Sequence, residues 1–187
     1  MRHLLLISYD FPPQTSESAS RAAGWVKHLP SFGWNVSVLT VEISKSEEDF
    51  VYGEQFSNVY QVKPDMFPEK ASMLKKIAAA YLVPDEKILW IPNVLRKIKE
   101  ITGKQGFDLM YTIAPPYSVS LLGYQVHCQT GLPWIADVRE NWVGTKKHGI
   151  FSQFYKNIEK KMEETIIKNA RKVISSSEEW CQFFYEK

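Results

Sequence analysis

The chain has 187 residues, 44% of them apolar, which is enough for one substantial core and near the upper end of an ordinary single domain, so one domain over 1–187 is expected. Lys and Arg number 23 against 21 Asp and Glu, a formal charge of +2 that gives no electrostatic footprint for a nucleic-acid partner. Cys128 and Cys181 stand far apart without metal-ligand spacing, so neither a disulfide framework nor a zinc site is signalled and reduced, cytoplasmic thiols are expected.

The first element is an apolar run at 3–8, ended by Asp10-Phe11-Pro12-Pro13. Its apolar part is too short for a signal-peptide core, and no window approaches the roughly 20 apolar residues that cross a bilayer. It reads as a strand. A helix over about 18–32 follows, with Ser18 or Ser20 as cap, Ala22, Trp25, Val26 and Leu29 on one face and Gly33 as stop. Strand-like runs come next at 36–40 and 59–62. The region 64–93 carries Pro64, Pro68, Pro84 and Pro92 around an Ala-rich basic helix at 70–82, and reads as an insertion or lid. Ile88, Ile91, Leu95, Ile98 and Ile101 predict a helix over 88–102, ended by Gly103.

Beyond it, strands are expected at 109–112, 134–138 and 173–175, with helices at about 117–129 and 152–169. In the second of these helices Phe154, Ile158, Met162 and Ile166 form the expected inner face. Ser177 caps a last helix bearing Trp180, Phe183, Phe184 and Tyr185, which either folds back on the sheet or leads to a partner domain. Strand and helix alternate, so the fold class is α/β: a Rossmann-like, doubly wound, mainly parallel sheet flanked by helices. No internal repeat or low-complexity tract interrupts it.

In such sheets ligands gather beyond the carboxyl ends of the strands. Three polar corners fall there. The first is Pro13, Gln14, Thr15 and Ser16 leading to Arg21, where orphan N–H groups and a helix dipole favour phosphate, although no glycine is present and Glu17 opposes an anion. The second is Asp137, Arg139, Glu140 and Trp142, with Asp137 and Arg139 facing the same side and Glu140 placed to pair with Arg139. The third is Thr112 with Ser118, the latter also a candidate helix cap. Each has a structural alternative, namely a capped turn, an ion pair or a cap; together they suggest a cleft.

His3, His28, His127 and His148 accompany no nucleophile elbow, and there is no Walker loop. Lys75 and Lys76, together with Lys87, Arg96, Lys97 and Lys99, allow peripheral contact with an anionic membrane face; a solvated helix face is the ordinary reading of such a run.

Asp10-Phe11-Pro12-Pro13, Arg21, Leu29-Pro30 with Gly33-Trp34 and the strand at 36–40 resemble the opening of family 4 glycosyltransferases of the GT-B fold. Pro84-Asp85 with Trp90, Pro115-Pro116-Tyr117-Ser118 with Leu122-Gly123, and the run from Gly131 to Trp142 resemble one branch of that family; the run from Val173 to Glu178 resembles the close of its N-terminal domain. The resemblance implies an acceptor-side N-terminal domain whose donor-binding C-terminal domain lies outside this chain. It implies a retaining, metal-independent transferase that builds polysaccharide, lipopolysaccharide or glycolipid. No cofactor is implied; the partners are a nucleotide-sugar donor, a saccharide or lipid-linked acceptor and the chain's own C-terminal domain. By position, the 13–18 loop faces the donor diphosphate, with Thr15, Ser16 and Glu17 where the family commonly has glycines. Arg139 stands where many members have a histidine facing the transferred sugar, and Glu140 where an aspartate follows. Asp137 and Arg139 are the expected catalytic pair, with Trp142 as wall. Two alternatives remain open: a sugar-nucleotide epimerase of the same architecture, and a non-catalytic stand-alone binding domain.

Overall fold

The computed structural model describes residues 1–43, 58–64, 82–143 and 152–186. Lys75, Lys76, His148 and all of the 70–82 helix expected from the sequence except its last residue lie outside them. Six parallel strands form one sheet: β1 (Arg2–Ser8), β2 (Trp34–Val41), β3 (Val59–Val62), β4 (Leu109–Ala114), β5 (Trp134–Val138) and β6 (Lys172–Ile174), in the order β3-β2-β1-β4-β5-β6. The order reverses between β1 and β4, so the switch point lies where the first and third polar corners leave the sheet.

Strand parity divides the core between the two faces. Leu4, Leu6, Val36, Val38, Tyr111 and Ile113 point to one side. There α1 (Glu17–His28) covers them with Ala22 and Val26. On the other side Leu5, Ile7, Leu39, Met110, Trp134, Ala136 and Val138 meet the remaining helices. These are α2 (Ile91–Thr102), α3 (Ser118–Thr130), α4 (Ser152–Asn169) and α5 (Glu178–Tyr185). Strands buried on both faces read as continuous apolar runs, which is why β1 was so plain in the sequence.

Several local expectations need correction. Ser16, extended at φ −68° and ψ 160°, caps α1 by accepting from the Ala19 N–H; Ser18 is already helical. After His28 the chain tightens into a 3₁₀ turn, Leu29–Phe32, closed by Gly33 at φ 79°. The helix expected at 88–102 begins as a 3₁₀ turn, Glu86–Trp90, capped by Asp85; α2 then buries Ile91, Val94, Ile98 and Ile101. In α4 the inner residues are Glu159, Glu163 and Ile166, while Phe154 is 62% exposed. Glu163 lies near Tyr117, and the buried stripe of this helix includes carboxylates beside Ile166 of the main core. The last helix folds back: Phe184 is buried in the main core and Trp180 and Phe183 pack around it.

Gly123 is required by packing. A Cβ there would lie 2.6 Å from the Trp134 indole and 2.8 Å from the Thr112 methyl, so α3 reaches the sheet only with hydrogen at that position. No helix among the described residues is long and apolar enough to cross a membrane.

Candidate functional site

All six strands are parallel, so their exits share one rim, and hydrogen bonds and ion pairs join the three corners there. Beyond β1 the chain closes on itself: the Gln14 N–H donates to the Phe11 carbonyl at 3.2 Å, and the Phe11 N–H returns to Gln14 Oε1 at 3.0 Å. Pro13 lies in this turn and Thr15 is exposed beside it. The Ser18 hydroxyl then donates to the Pro115 carbonyl at 2.8 Å, tying the start of α1 to the corner after β4.

Two ion pairs link α1 to the exit of β5: Arg21 with Asp137, and Glu17 with Arg139. Residues 137 and 139 are two apart on an extended chain, a separation of about 6.6 Å, and residues 17 and 21 are one helical turn apart, about 6 Å. The two spacings match, and the charges run in complementary order. The sequence placed Asp137 and Arg139 on one side, and their partners are on α1; Glu140, the neighbour expected to pair with Arg139, is exposed.

The two pairs differ in solvent access. Asp137 is 2% exposed and Arg21 27%, and the Tyr111 hydroxyl donates to Asp137 Oδ2 at 3.0 Å. Burial pulls the Arg21 pKa down, Tyr111 and Glu17 act upward, and Arg139 adds to the lowering. Burial also pushes the Tyr111 phenol up to about 12. The outer pair is open, with Arg139 38% and Glu17 55% exposed. The Arg139 carbonyl accepts from the Ser175 and Ser176 hydroxyls at 2.9 and 2.8 Å, so its backbone is fixed while its side chain reaches water. Between α1 and the β5–β6 side lies an open groove of about 490 Å³, bordered by Glu17, Arg21, Trp25, Tyr111, Asp137 and Ser175.

Three residues expected in the cleft lie beneath its surface. Thr112 is fully buried on the opposite sheet face, where its hydroxyl accepts from the Trp134 indole N–H at 2.9 Å; strand parity with Met110 puts it there. Ser118 is 1% exposed at the start of α3 and caps nothing with its side chain. Its N–H instead donates to Asp85 Oδ2 at 3.0 Å, while Asp85 Oδ1 accepts from the Lys87 N–H at 3.0 Å. An internal carboxylate therefore occupies this helix N-terminus. Trp142 is 1% exposed and stacks under Tyr117, with centroids 4.6 Å apart and planes at 22°. Burial is the main influence raising the Tyr117 phenol to about 12; Glu140 adds to it, Arg139 opposes it, and Glu163 and Asp85 contribute further.

The sequence reading missed Tyr111 as a partner of Asp137 and the double role of Asp85. An Asp following Pro and preceding a helical turn is a legible cap signal, but its second bond spans 33 residues and leaves no local trace. Among the described residues, no group of three or more His, Cys, Asp or Glu side chains is placed to hold a metal ion.

No family model matches the chain, and no curated protein sequence does. Solved structures do resemble it. Sucrose-phosphate synthase from Thermosynechococcus elongatus aligns with a TM-score of 0.69 at 16% identity, covering 100% of this chain and 45% of the synthase. Another structure of that synthase gives 0.60 at 16% identity, over 95% of this chain and 78% of that one. MurG from Acinetobacter baumannii gives 0.53 at 15% identity, over 94% of this chain and 41% of MurG. The chain thus spans less than half of MurG and of the more fully covering synthase structure. At these identities the likeness is one of fold: a Rossmann-like α/β domain of the kind found in GT-B glycosyltransferases.

Proposed function

We propose that this chain is the acceptor-side, N-terminal domain of a retaining, metal-independent family 4 glycosyltransferase, working opposite a second Rossmann-like domain that holds a nucleotide-sugar. The observation that carries the reading is the rim itself. On a fold shared with sucrose-phosphate synthase and MurG, α1 and the β5 exit present a guanidinium, Arg139, that is anchored through its backbone and held by an exposed pair. Exposed ion pairs contribute about 0.2–1 kcal/mol, so an anion arriving at the cleft replaces Glu17 at small cost.

Glycosyl transfer with retention requires the departing diphosphate's charge to be stabilised while an acceptor hydroxyl approaches the same face of the sugar. Arg139 supplies charge at the lip, and Arg21 with Asp137 act as positioning residues that hold α1 and therefore the 13–18 loop. The Tyr111 and Tyr117 phenols, near 12, stay protonated at neutral pH and are not bases; the leaving phosphate takes the proton. The acceptor belongs to polysaccharide, lipopolysaccharide or cell-envelope synthesis, on the cytoplasmic side of the membrane.

The 187-residue chain alone should show negligible turnover with nucleotide-sugars, whereas a protein continuing into a donor domain should transfer sugar with configuration retained and be protected from thermal unfolding by its donor. Turnover by the single domain equal to that of the two-domain protein would defeat the proposal, as would an absence of donor protection.

A further inference from the structure

A second cavity, of about 430 Å³, opens on the rim where β1, β2 and β3 end, facing Lys87 and Pro116. Its volume lies within the roughly 300–1,000 Å³ of small-molecule sites. Of the cleft residues expected from the sequence, Gln14 borders it; Lys87, expected in a basic helix face, and Asp10 also do.

The scaffold around this cavity is tightly bonded. The Thr40 hydroxyl and the Val41 N–H both donate to the Tyr9 carbonyl, at 2.8 and 3.1 Å, locking the β1 exit to β2. The Glu42 N–H donates to the Val62 carbonyl at 2.8 Å, locking β2 to β3. The Ser8 hydroxyl donates to the Asp10 carbonyl at 2.7 Å. Across the opening, Asp85 holds the Lys87 backbone, and the Lys87 ammonium sits 5.0 Å from the Tyr9 ring centroid, with Trp90 edge-on behind that ring at 5.1 Å. Desolvation is the largest single influence on Lys87 and lowers its pKa, but Tyr9 and Glu86 outweigh it, so the net shift is upward and the ammonium stays charged.

The polar groups at the cavity have unused capacity. Neither the Asp10 nor the Glu42 carboxylate has a hydrogen-bond or ion-pair partner among the described residues, and Gln14, with its oxygen on the Phe11 N–H, keeps its amide NH₂ free. Two acceptor-only groups and two donors therefore converge on one opening whose remaining lining includes Val41, Ile43 and Pro64. A sugar ring matches this set, because each hydroxyl donates and accepts and the ring also has apolar C–H faces. Two carboxylates against one ammonium disfavour a phosphate or uronate.

We propose that this cavity is the acceptor subsite and takes an uncharged saccharide ring, Asp10 and Glu42 accepting from its hydroxyls while Lys87 and Gln14 donate. The term acceptor rests on the transferase reading; saccharide binding does not.

The test is saturation-transfer NMR on the full chain with methyl glycosides of glucose, galactose, mannose and N-acetylglucosamine, compared with glucuronate and glucose 1-phosphate. At least one neutral glycoside should bind in the millimolar range, at least tenfold tighter than either anion. Asp10→Asn, Glu42→Gln and Lys87→Met should each weaken it fivefold or more without loss of the native circular-dichroism spectrum, and Lys104→Met, in the exposed turn after α2, should leave it unchanged. No saturation from any neutral glycoside, equal binding of the anions, or indifference to all three cavity substitutions would overturn the subsite. Donor protection of the two-domain protein, seen together with any of those results, would leave the transferase reading standing without it. Glycoside binding as expected without donor protection would remove only the word acceptor.

Discussion

Replacing Arg21 with Met takes the guanidinium away from a carboxylate that is 2% exposed and leaves Asp137 with the Tyr111 hydroxyl alone, since its Oδ1 has no hydrogen-bond partner. Removing one member of a buried pair costs about 3–5 kcal/mol, mostly as the penalty of an uncompensated buried charge. Arg21 itself is 27% exposed, so water reaches one side of the site and the lower end of that range, about 3 kcal/mol, is expected. Against a total stability of roughly 5–15 kcal/mol this is a large fraction. Arg139→Met breaks the neighbouring pair, whose members are 38% and 55% exposed, and should cost less than about 1 kcal/mol. Urea unfolding at pH 7, followed by the fluorescence of the six tryptophans, measures both. Adding Asp137→Asn to Arg21→Met removes the stranded charge and should restore much of the loss, giving a coupling well above the scatter for independent sites. Equal losses for Arg21→Met and Arg139→Met, or strict additivity in the double variant, would refute the assignment of the inner pair as a buried clamp.

Asp85→Ala strips the acceptor from two backbone N–H groups, and because Ser118 is 1% exposed the loss should be about 1–3 kcal/mol in urea unfolding. Asp85→Asn keeps one acceptor oxygen and should recover part of it. Gly123→Ala forces a methyl within 2.6 Å of the Trp134 indole. Overpacking of about 1–3 kcal/mol should outweigh the gain of about 1 kcal/mol in helix propensity, lowering the melting temperature. For Tyr111 the folded pKa of about 12 exceeds the ordinary 10.0, so the folded state holds its proton more tightly. The resulting stability, at most about 2–3 kcal/mol, is fully present below pH 10 and lost as pH rises through 12. Tyr111→Phe should flatten that alkaline limb of the urea midpoint; an unchanged limb would contradict the burial of this phenol.

What the sequence made legible was periodic. The central strand β1 was readable because a parallel sheet covered on both sides turns it into an apolar run, the half-buried or exposed edge strands β3 and β6 from short runs of β-branched and apolar residues, and α2 because Ile91, Ile98 and Ile101 recur on one stripe. Both members of the inner pair were singled out separately, Arg21 for its place one turn into a helix and Asp137 for its place near a strand exit. Their union was not readable, because nothing local in either segment names the other. The failures share one cause. Thr112 and Trp142 are a polar and an aromatic group near a rim, yet each side chain points into the core, and the inner face expected for α4, Phe154, Ile158, Met162 and Ile166, leaves out Glu159 and Glu163, which are buried. Residue chemistry suggested the solvent side in these cases, whereas the direction of the Cα–Cβ bond, set by strand parity at Thr112 and by helix phase at Glu159 and Glu163, decided the matter.

The same geometry explains why two ion pairs of identical chemistry stand side by side with different characters. A two-residue step on β5 and one turn of α1 advance by nearly the same length, so the second pair follows almost automatically once the first is formed. The first lies over the sheet, where Tyr111 reaches its carboxylate and water is scarce; the second lies one step beyond the last paired residue of the strand, where Glu17 and Arg139 are wetted. The inner pair therefore resists exchange by several kcal/mol and the outer one by less than about one. On the proposed function, a charged ligand entering from the rim would meet a lip that yields over a base that does not, and the helix leading from the 13–18 loop would keep its position while Arg139 changed partners.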